Sequence, residues 1–173
     1  PKPADPVKAN TAEFTYEFVG WYNGNAEWDF ENGVVTGDLN LVAKFDATKN
    51  SYKVTISFEG IDGKQSVELT QEYGTKVDFS KYDIEHYSFE IFNDSQKISE
   101  FTVEGEANLK IVYAIDKFTV TFDGKDGKQI EYETKVPKPA DPVKDNTAEF
   151  TYEFLGWYDG NDEWDFENDV VTS

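Results

Sequence analysis

Residues 14–22, Phe-Thr-Tyr-Glu-Phe-Val-Gly-Trp-Tyr, alternate along the chain. Phe14, Tyr16 and Phe18 fall on one face of an extended segment, and Thr15, Glu17 and Val19 fall on the other, which predicts a β-strand. Gly20 interrupts it. A bulge at this point turns Trp21 back toward the face of Phe18; without one, Trp21 lies on the polar face. Asn23-Gly24-Asn25 is a hairpin signal. Trp28-Asp29-Phe30 reads as a short extended segment with two aromatics on one side, and Asn32-Gly33 as a further turn. Leu39–Phe45 predicts a second strand with Leu39, Leu41, Ala43 and Phe45 inward, and Asp46–Ser51 reads as a linker. Val54–Phe58 alternates, Glu59–Lys64 turns, and Gln65–Leu69 returns, which makes a hairpin. Ahead of these, Pro1–Lys8 carries three prolines. Each fixes its own φ and lacks a donor, so this stretch is an extended connection. Asn10–Glu13 is polar and suited to capping a short turn.

Much of this pattern is written twice. Residues 1–36 and 137–172 align without gaps and differ at five positions: Ala9/Asp145, Val19/Leu155, Asn23/Asp159, Ala26/Asp162 and Gly33/Asp169. Every aromatic and every proline is held, and four of the five changes introduce Asp. Such drift marks copies kept as folding units while their surface charge is tuned. The hairpin at 54–65 recurs at 118–129 with an offset of 64, and the strand at 39–45 recurs as Leu109–Ile115 with an offset of 70. Fixed-period similarity signals a repeat architecture. The unit is a hairpin head, a linker, an aromatic strand, a turn region and a closing strand. Residues 1–50 are a partial repeat without the head. Residues 51–116 are a complete but divergent repeat. Residues 117–173 are a repeat without the closing strand.

Composition narrows the class. Aromatic residues make up 16% of the 173 residues, enough to fill small β cores. The net charge is −19 and every basic residue is Lys, so the basic footprint that nucleic acid or an anionic membrane surface requires is missing. A strongly acidic surface favours solubility. There is no Cys, hence no disulfide framework and no thiolate metal site. No apolar run approaches a membrane span, and no signal peptide is evident. Methionine is absent, position 1 included, so the expectation is a piece of a longer chain whose export signal or anchor lies outside it.

In chain order, Phe118–Phe122 with Asp126-Gly127, Pro137–Pro142, Phe154–Tyr158, Trp164–Phe166 and Val171-Thr172 resemble the Listeria–Bacteroides repeat, a module of the internalin B-repeat type found in tandem in bacterial surface proteins. Pro1–Pro6, Phe18–Tyr22, Trp28–Phe30 and Val35–Phe45 resemble it in the same way. The middle repeat lacks the proline and Gly-Trp-Tyr hallmarks. The resemblance implies a mainly β or α+β fold of tandem small β-grasp-like (ubiquitin- or SUMO-like) modules, each a twisted sheet crossed by one short helix or helical turn. It also implies an extracellular, cell-surface setting, and it brings no catalytic residues.

The chemistry in the chain agrees with a non-enzyme. His86 is the only histidine and stands in the divergent repeat without a nucleophile. Acidic clusters at Asp123–Asp126 and Asp159–Glu163 offer the oxygen ligands calcium prefers, but neither has EF-hand spacing, and the first copy of the second cluster has Asn23 and Ala26 in place of Asp159 and Asp162. They read as acidic turns, and no cofactor is expected. The binding candidates are Trp21, Tyr22, Trp28, Trp157, Tyr158 and Trp164, which could stack on sugars if exposed and otherwise form the core of a small module. The expected function is a spacer or stalk of an exported bacterial surface protein with a part in adhesion to a host protein, matrix protein or glycan; the alternative is a carbohydrate-binding accessory module. The incomplete terminal repeats carry complementary strands, so head-to-tail self-association through unpaired edges is a further expectation.

Overall fold

The computed structural model describes the backbone of all 173 residues and every side chain except that of Asp126. Asp126, one of the acidic residues weighed as a calcium ligand, therefore lies outside the described side chains. The chain divides into two compact units: Pro1–Tyr82 with Phe89–Tyr113, and Asp83–Ser88 with Ala114–Ser173. Both are built of β-structure, and the one helical element among the described residues is a 3-10 turn at Ser80–Tyr82.

The first unit opens with β1 (Phe14–Asn23), β2 (Ala26–Glu27) and β3 (Val42–Lys49) in an antiparallel sheet of order β2-β1-β3. The register shifts between Phe18, which faces Phe45, and Gly20, which faces Lys44. Val19 is the extra residue of a β-bulge and is exposed. The bulge re-aims the next side chain, and the Trp21 ring meets Phe18 edge-on at 6.0 Å while Phe18 meets Phe45 at 5.7 Å. Of the two orientations the sequence leaves open, Trp21 takes the inner one.

Three expectations are corrected here. The strand expected at Leu39–Phe45 begins only at Val42, and Leu39–Leu41 lie in no strand. Residues 46–49 are strand, not linker: Ala47, Thr48 and Lys49 pair with Tyr16, Thr15 and Phe14. The ten-residue edge of β1 supplies hydrogen-bond partners that override the polar local sequence. Trp28-Asp29-Phe30 does not run extended, because the Asp29 carboxylate folds the chain back on itself. Its Oδ1 accepts the backbone N–H groups of Glu31 (2.8 Å) and Asn32 (3.1 Å), and its Oδ2 accepts the Asn32 side-chain amide (2.8 Å).

Only Asn50 separates β3 from β4 (Ser51–Glu59). With β5 (Val67–Glu72), β6 (Tyr87–Asn93), β7 (Gln96–Ile98) and β8 (Ala107–Ile115) it makes a five-stranded sheet of order β5-β4-β8-β6-β7. β4 lies antiparallel to β5 and parallel to β8, with Val54 opposite Ala107 and Glu59 opposite Val112. Val54, Ile56, Val103, Leu109 and Ile111 are fully or almost fully buried, and each contributes about 1.5–3 kcal/mol by leaving water. Gly60 follows β4 with φ +79°, and a Cβ there would run into the Tyr113 carbonyl oxygen. The closing strand β8 therefore requires this glycine. The 3-10 turn at Ser80–Tyr82 ends on Tyr82, whose carbonyl accepts the buried Tyr113 hydroxyl at 2.6 Å.

The second unit holds the hairpin β9 (Lys117–Phe122) and β10 (Lys125–Glu131), joined by Asp123 and Gly124, both at positive φ, and the short pair β11 (Tyr158–Asp159) and β12 (Asp162–Glu163). Residues 150–157, the copy of β1 up to Trp21, form no strand. The physical reason is the missing partner: an extended backbone needs a neighbouring ladder to satisfy its polar groups, and among the described residues of the second unit no strand pairs with this segment as β3 does with β1.

Candidate functional site

The six aromatic candidates do not come together as one platform. Trp21 is half-buried against Phe18, and its carbonyl accepts the Trp28 backbone N–H at 2.7 Å. Tyr22 lies beneath the Lys44 ammonium, 4.2 Å from its ring centre. In the second unit Trp157 stands edge-on to Phe122 (4.9 Å) and to Phe154 (5.6 Å), and its carbonyl accepts the Trp164 N–H at 2.8 Å. Tyr158 alone of the six is exposed, at 52%. The indole N–H groups of Trp21, Trp157 and Trp164 are buried without an acceptor. The other five rings are half-buried.

The concave feature of the second unit is a groove of about 650 Å³ beside β9. Val120, Phe122, Val136, Trp157, Trp164 and Val171 line it. Its floor is fixed by backbone bonds: Glu133 N–H donates to the Val171 carbonyl (2.8 Å), and Val171 N–H donates to the Thr134 carbonyl (3.0 Å). Val171 is consequently only 4% exposed, whereas Val35, its copy in the first unit, is 62% exposed. Sequence reading singled out the tryptophans but not Val136 or Val171. The available signal was the Val-Val-Thr that ends both copies, read there only as part of the family pattern.

The charged groups take local roles. Asp165 repeats the turn of Asp29, accepting the N–H groups of Glu167 and Asn168 and the Asn168 side-chain amide. In both turns the bond from the Asn side chain leads, backbone donors add to it, and the carboxyl is held below its ordinary value. Asp169, which stands where the first copy has Gly33, accepts the Asp165 backbone N–H at 2.8 Å, so this Asp belongs to the turn. Asp145, Asp159 and Asp162 are exposed, as surface tuning implies. Among the described residues no group of three or more His, Asp or Glu side chains is arranged to hold a metal ion. His86 stacks on Tyr132 with ring centres 3.6 Å apart and planes 10° from parallel. Burial, then the charges of Glu133 and Glu85, push the Tyr132 hydroxyl pKa up.

The sequence profile of the Listeria–Bacteroides repeat domain matches residues 1–44 and 118–173, more than half of the chain, and the protein belongs to this family. Two relatives come from Evansella cellulosilytica. One, named as a candidate membrane protein, is 30% identical over 91% of this chain; the other, named as a candidate Gly-rich membrane protein, is 29% identical over 89%. The chain spans 25% and 19% of their lengths. No solved structure matches. Among the described residues no helix is long and apolar enough to cross a membrane.

Proposed function

We propose that this segment is a spacer of an exported bacterial surface protein, built to hold successive repeats in line. The observation that carries the reading is the joint at Asn50. One residue separates the closing strand of the first repeat from the head strand of the next, and all of its polar groups are engaged. Its N–H donates to the Glu13 carbonyl and its carbonyl accepts the Tyr73 N–H, both at 2.8 Å. Its side-chain amide donates to the Thr11 and Ala12 carbonyls at 3.0 Å, and its Oδ1 accepts the Thr15 hydroxyl at 2.7 Å. A joint of this kind has none of the freedom of a Gly/Ser linker. The backbone pattern recurs at Asp116, whose N–H donates to the His86 carbonyl and whose carbonyl accepts the Tyr132 N–H, both at 2.9 Å. The names of the relatives and the family support the surface setting. The inward rings favour a structural role over sugar stacking.

The test uses the absence of cysteine. Spin labels at Glu31→Cys and Ser95→Cys, both within the first unit, report the distance across the joint. A spacer gives a narrow distribution that Asn50→Ala broadens, since about 1–3 kcal/mol of side-chain hydrogen bonding is lost. A broad distribution in the parent protein overturns the reading.

A further inference from the structure

Asn-Gly occurs twice in the chain, at Asn23-Gly24 and at Asn32-Gly33, both in the first unit. The dipeptide is chemically labile, because glycine has no side chain to shield its backbone nitrogen from the carboxamide before it. The two turns treat these groups differently. Asn23 and Ala26 close the turn between β1 and β2, with Gly24 at φ +62°. Asn23 and Gly24 are exposed, and a Cβ at Gly24 meets nothing within 4 Å. Among the described residues neither the Asn23 carboxamide nor the Gly24 N–H has a hydrogen-bond partner.

At Asn32-Gly33 every group that would react is tied to Asp29. The Asn32 carboxamide donates to Asp29 Oδ2 at 2.8 Å, and the Gly33 N–H donates to the Asp29 carbonyl at 2.8 Å. Attack on the carboxamide needs a deprotonated glycine nitrogen, and the Asp29 carboxylate, in hydrogen-bond reach of Asn32, opposes that charge. The second copy shows what the first turn tolerates. Asp159-Gly160 stands where Asn23-Gly24 does, and Gly160 has the same φ of +62°. Asp159 faces Asp162 and Tyr158 faces Glu163, as Asn23 faces Ala26 and Tyr22 faces Glu27. The turn keeps its backbone with an aspartate in place of the asparagine.

We infer that Asn23-Gly24 is a self-modification site, at which the chain converts the neutral turn of its first copy into the acidic turn of its second. The Gly24 nitrogen gives its proton to solvent base and attacks Asn23 Cγ. The N–Cγ bond forms, the Cγ–Nδ2 bond breaks, and ammonia leaves. Water then opens the cyclic imide and returns the proton to nitrogen. Opening at the side-chain carbonyl gives aspartate; opening at the main-chain carbonyl gives isoaspartate, whose backbone runs through Cβ and Cγ. Nothing is oxidised or reduced, and water is the only co-reactant. Attack requires Asn23 to leave its pairing with Ala26. β2 is two residues long and both are exposed, so this local opening costs little. Aspartate leaves the turn as Asp159 leaves its own. Isoaspartate lengthens the backbone within the turn and disturbs the pairing that sets the Trp28 N–H on the Trp21 carbonyl. Asp29 keeps the same chemistry from Asn32.

The whole protein, held in mildly alkaline buffer and sampled over time, tests this by peptide mapping with mass spectrometry, which reads the replacement of amide nitrogen by oxygen at each Asn-Gly. In the folded protein Asn23 should convert at least about tenfold faster than Asn32, because the hydrogen bonds to Asp29 must break before Asn32 can react. In urea both turns are lost and the two sites should convert at similar rates. Asp29→Ala should bring Asn32 to a rate near that of Asn23, with the Asn23 rate unchanged as the check that β1 keeps its fold. An Asn23 that stays intact in the folded protein while it converts in urea, or that converts no faster than Asn32 when folded, overturns the site. An Asn32 that stays unreactive in Asp29→Ala overturns Asp29 as its protecting group.

Discussion

Phe14–Asn23 and Phe150–Asp159 are nearly the same ten residues in two conformations. The first is a bulged strand; the second forms strand only at its last two residues. Phe14, Tyr16 and Phe18 are half-buried, whereas Phe150 is 55% and Leu155 78% exposed. Interactions within a few residues of one another are nevertheless the same in both copies. Asn10 Oδ1 accepts the Tyr16 N–H and Asn146 Oδ1 accepts the Tyr152 N–H, each at 2.9 Å. Lys8 sits over Tyr16 at 3.6 Å and Lys144 over Tyr152 at 3.8 Å. Gly24 and Gly160 share φ +62°. What differs is β3. Local sequence specifies turns and caps, and strand formation awaits a partner from elsewhere in the chain.

The largest way to break this contrast is Phe45→Ala. It removes the ring that Phe18 packs against and should cost the first sheet about 2–3 kcal/mol, less than for a fully buried Phe because Phe45 is half-buried. Amide protection over residues 14–23 should then fall toward that of 150–159, with the middle sheet unchanged. Unaltered protection would mean that β1 is held by something other than β3.

A smaller effect comes from the paired glycines. Gly60→Asn forces a Cβ onto the Tyr113 carbonyl and should destabilise the middle sheet by about 1–3 kcal/mol in thermal unfolding. Gly124→Asn should change stability by no more than about 0.5 kcal/mol, because nothing stands in its way. Equal losses at the two sites would show that positive φ, and not the closing strand, sets the requirement.

The smallest effect is acid sensitivity, and here the two copies should agree. Asp29 and Asp165 have carboxyl pKa values depressed below 3.8, chiefly by the Asn32 and Asn168 side-chain amides. A depressed carboxyl contributes stability that is present above its ordinary pKa and is lost as pH falls through the folded value. Both turns should therefore persist at pH 4, near the isoelectric point of about 4.2, and open together below it. The side-chain amide resonances of Asn32 and Asn168 report this. Opening of one turn well above pH 4 would contradict a shared local origin.

The same division between local and distant partners decides what the sequence made legible. Alternation located β1 and β4, the internal repeat located β8 and β9, and the glycine in Phe-Val-Gly-Trp-Tyr signalled the bulge. Asp46–Lys49 was misread because its polar residues pair with β1, a partner that no local window contains. Trp28–Phe30 was misread because Asp29 acts through its carboxylate rather than through alternation. The groove was not legible, since Val171 reaches its lining only through backbone pairing with the distant Glu133 and Thr134. The middle repeat reverses the usual expectation. It lies outside the matched family segments and lacks their motifs, yet it is the repeat with a full five-stranded sheet. Its closing strand, with Leu109 and Ile111 in the core, matters more to the fold than the Gly-Trp-Tyr signature.

The most direct measurement is hydrogen exchange of the whole protein, resolved to residues 14–23 and 150–159. Near-identical sequences give near-identical intrinsic exchange rates, so a difference reports structure alone. Strong protection at 14–23 with fast exchange at 150–159, at concentrations where the protein is monomeric, is the predicted result. Equal protection of the two segments in the monomer would contradict the claim that the closing strand decides the fold of each copy.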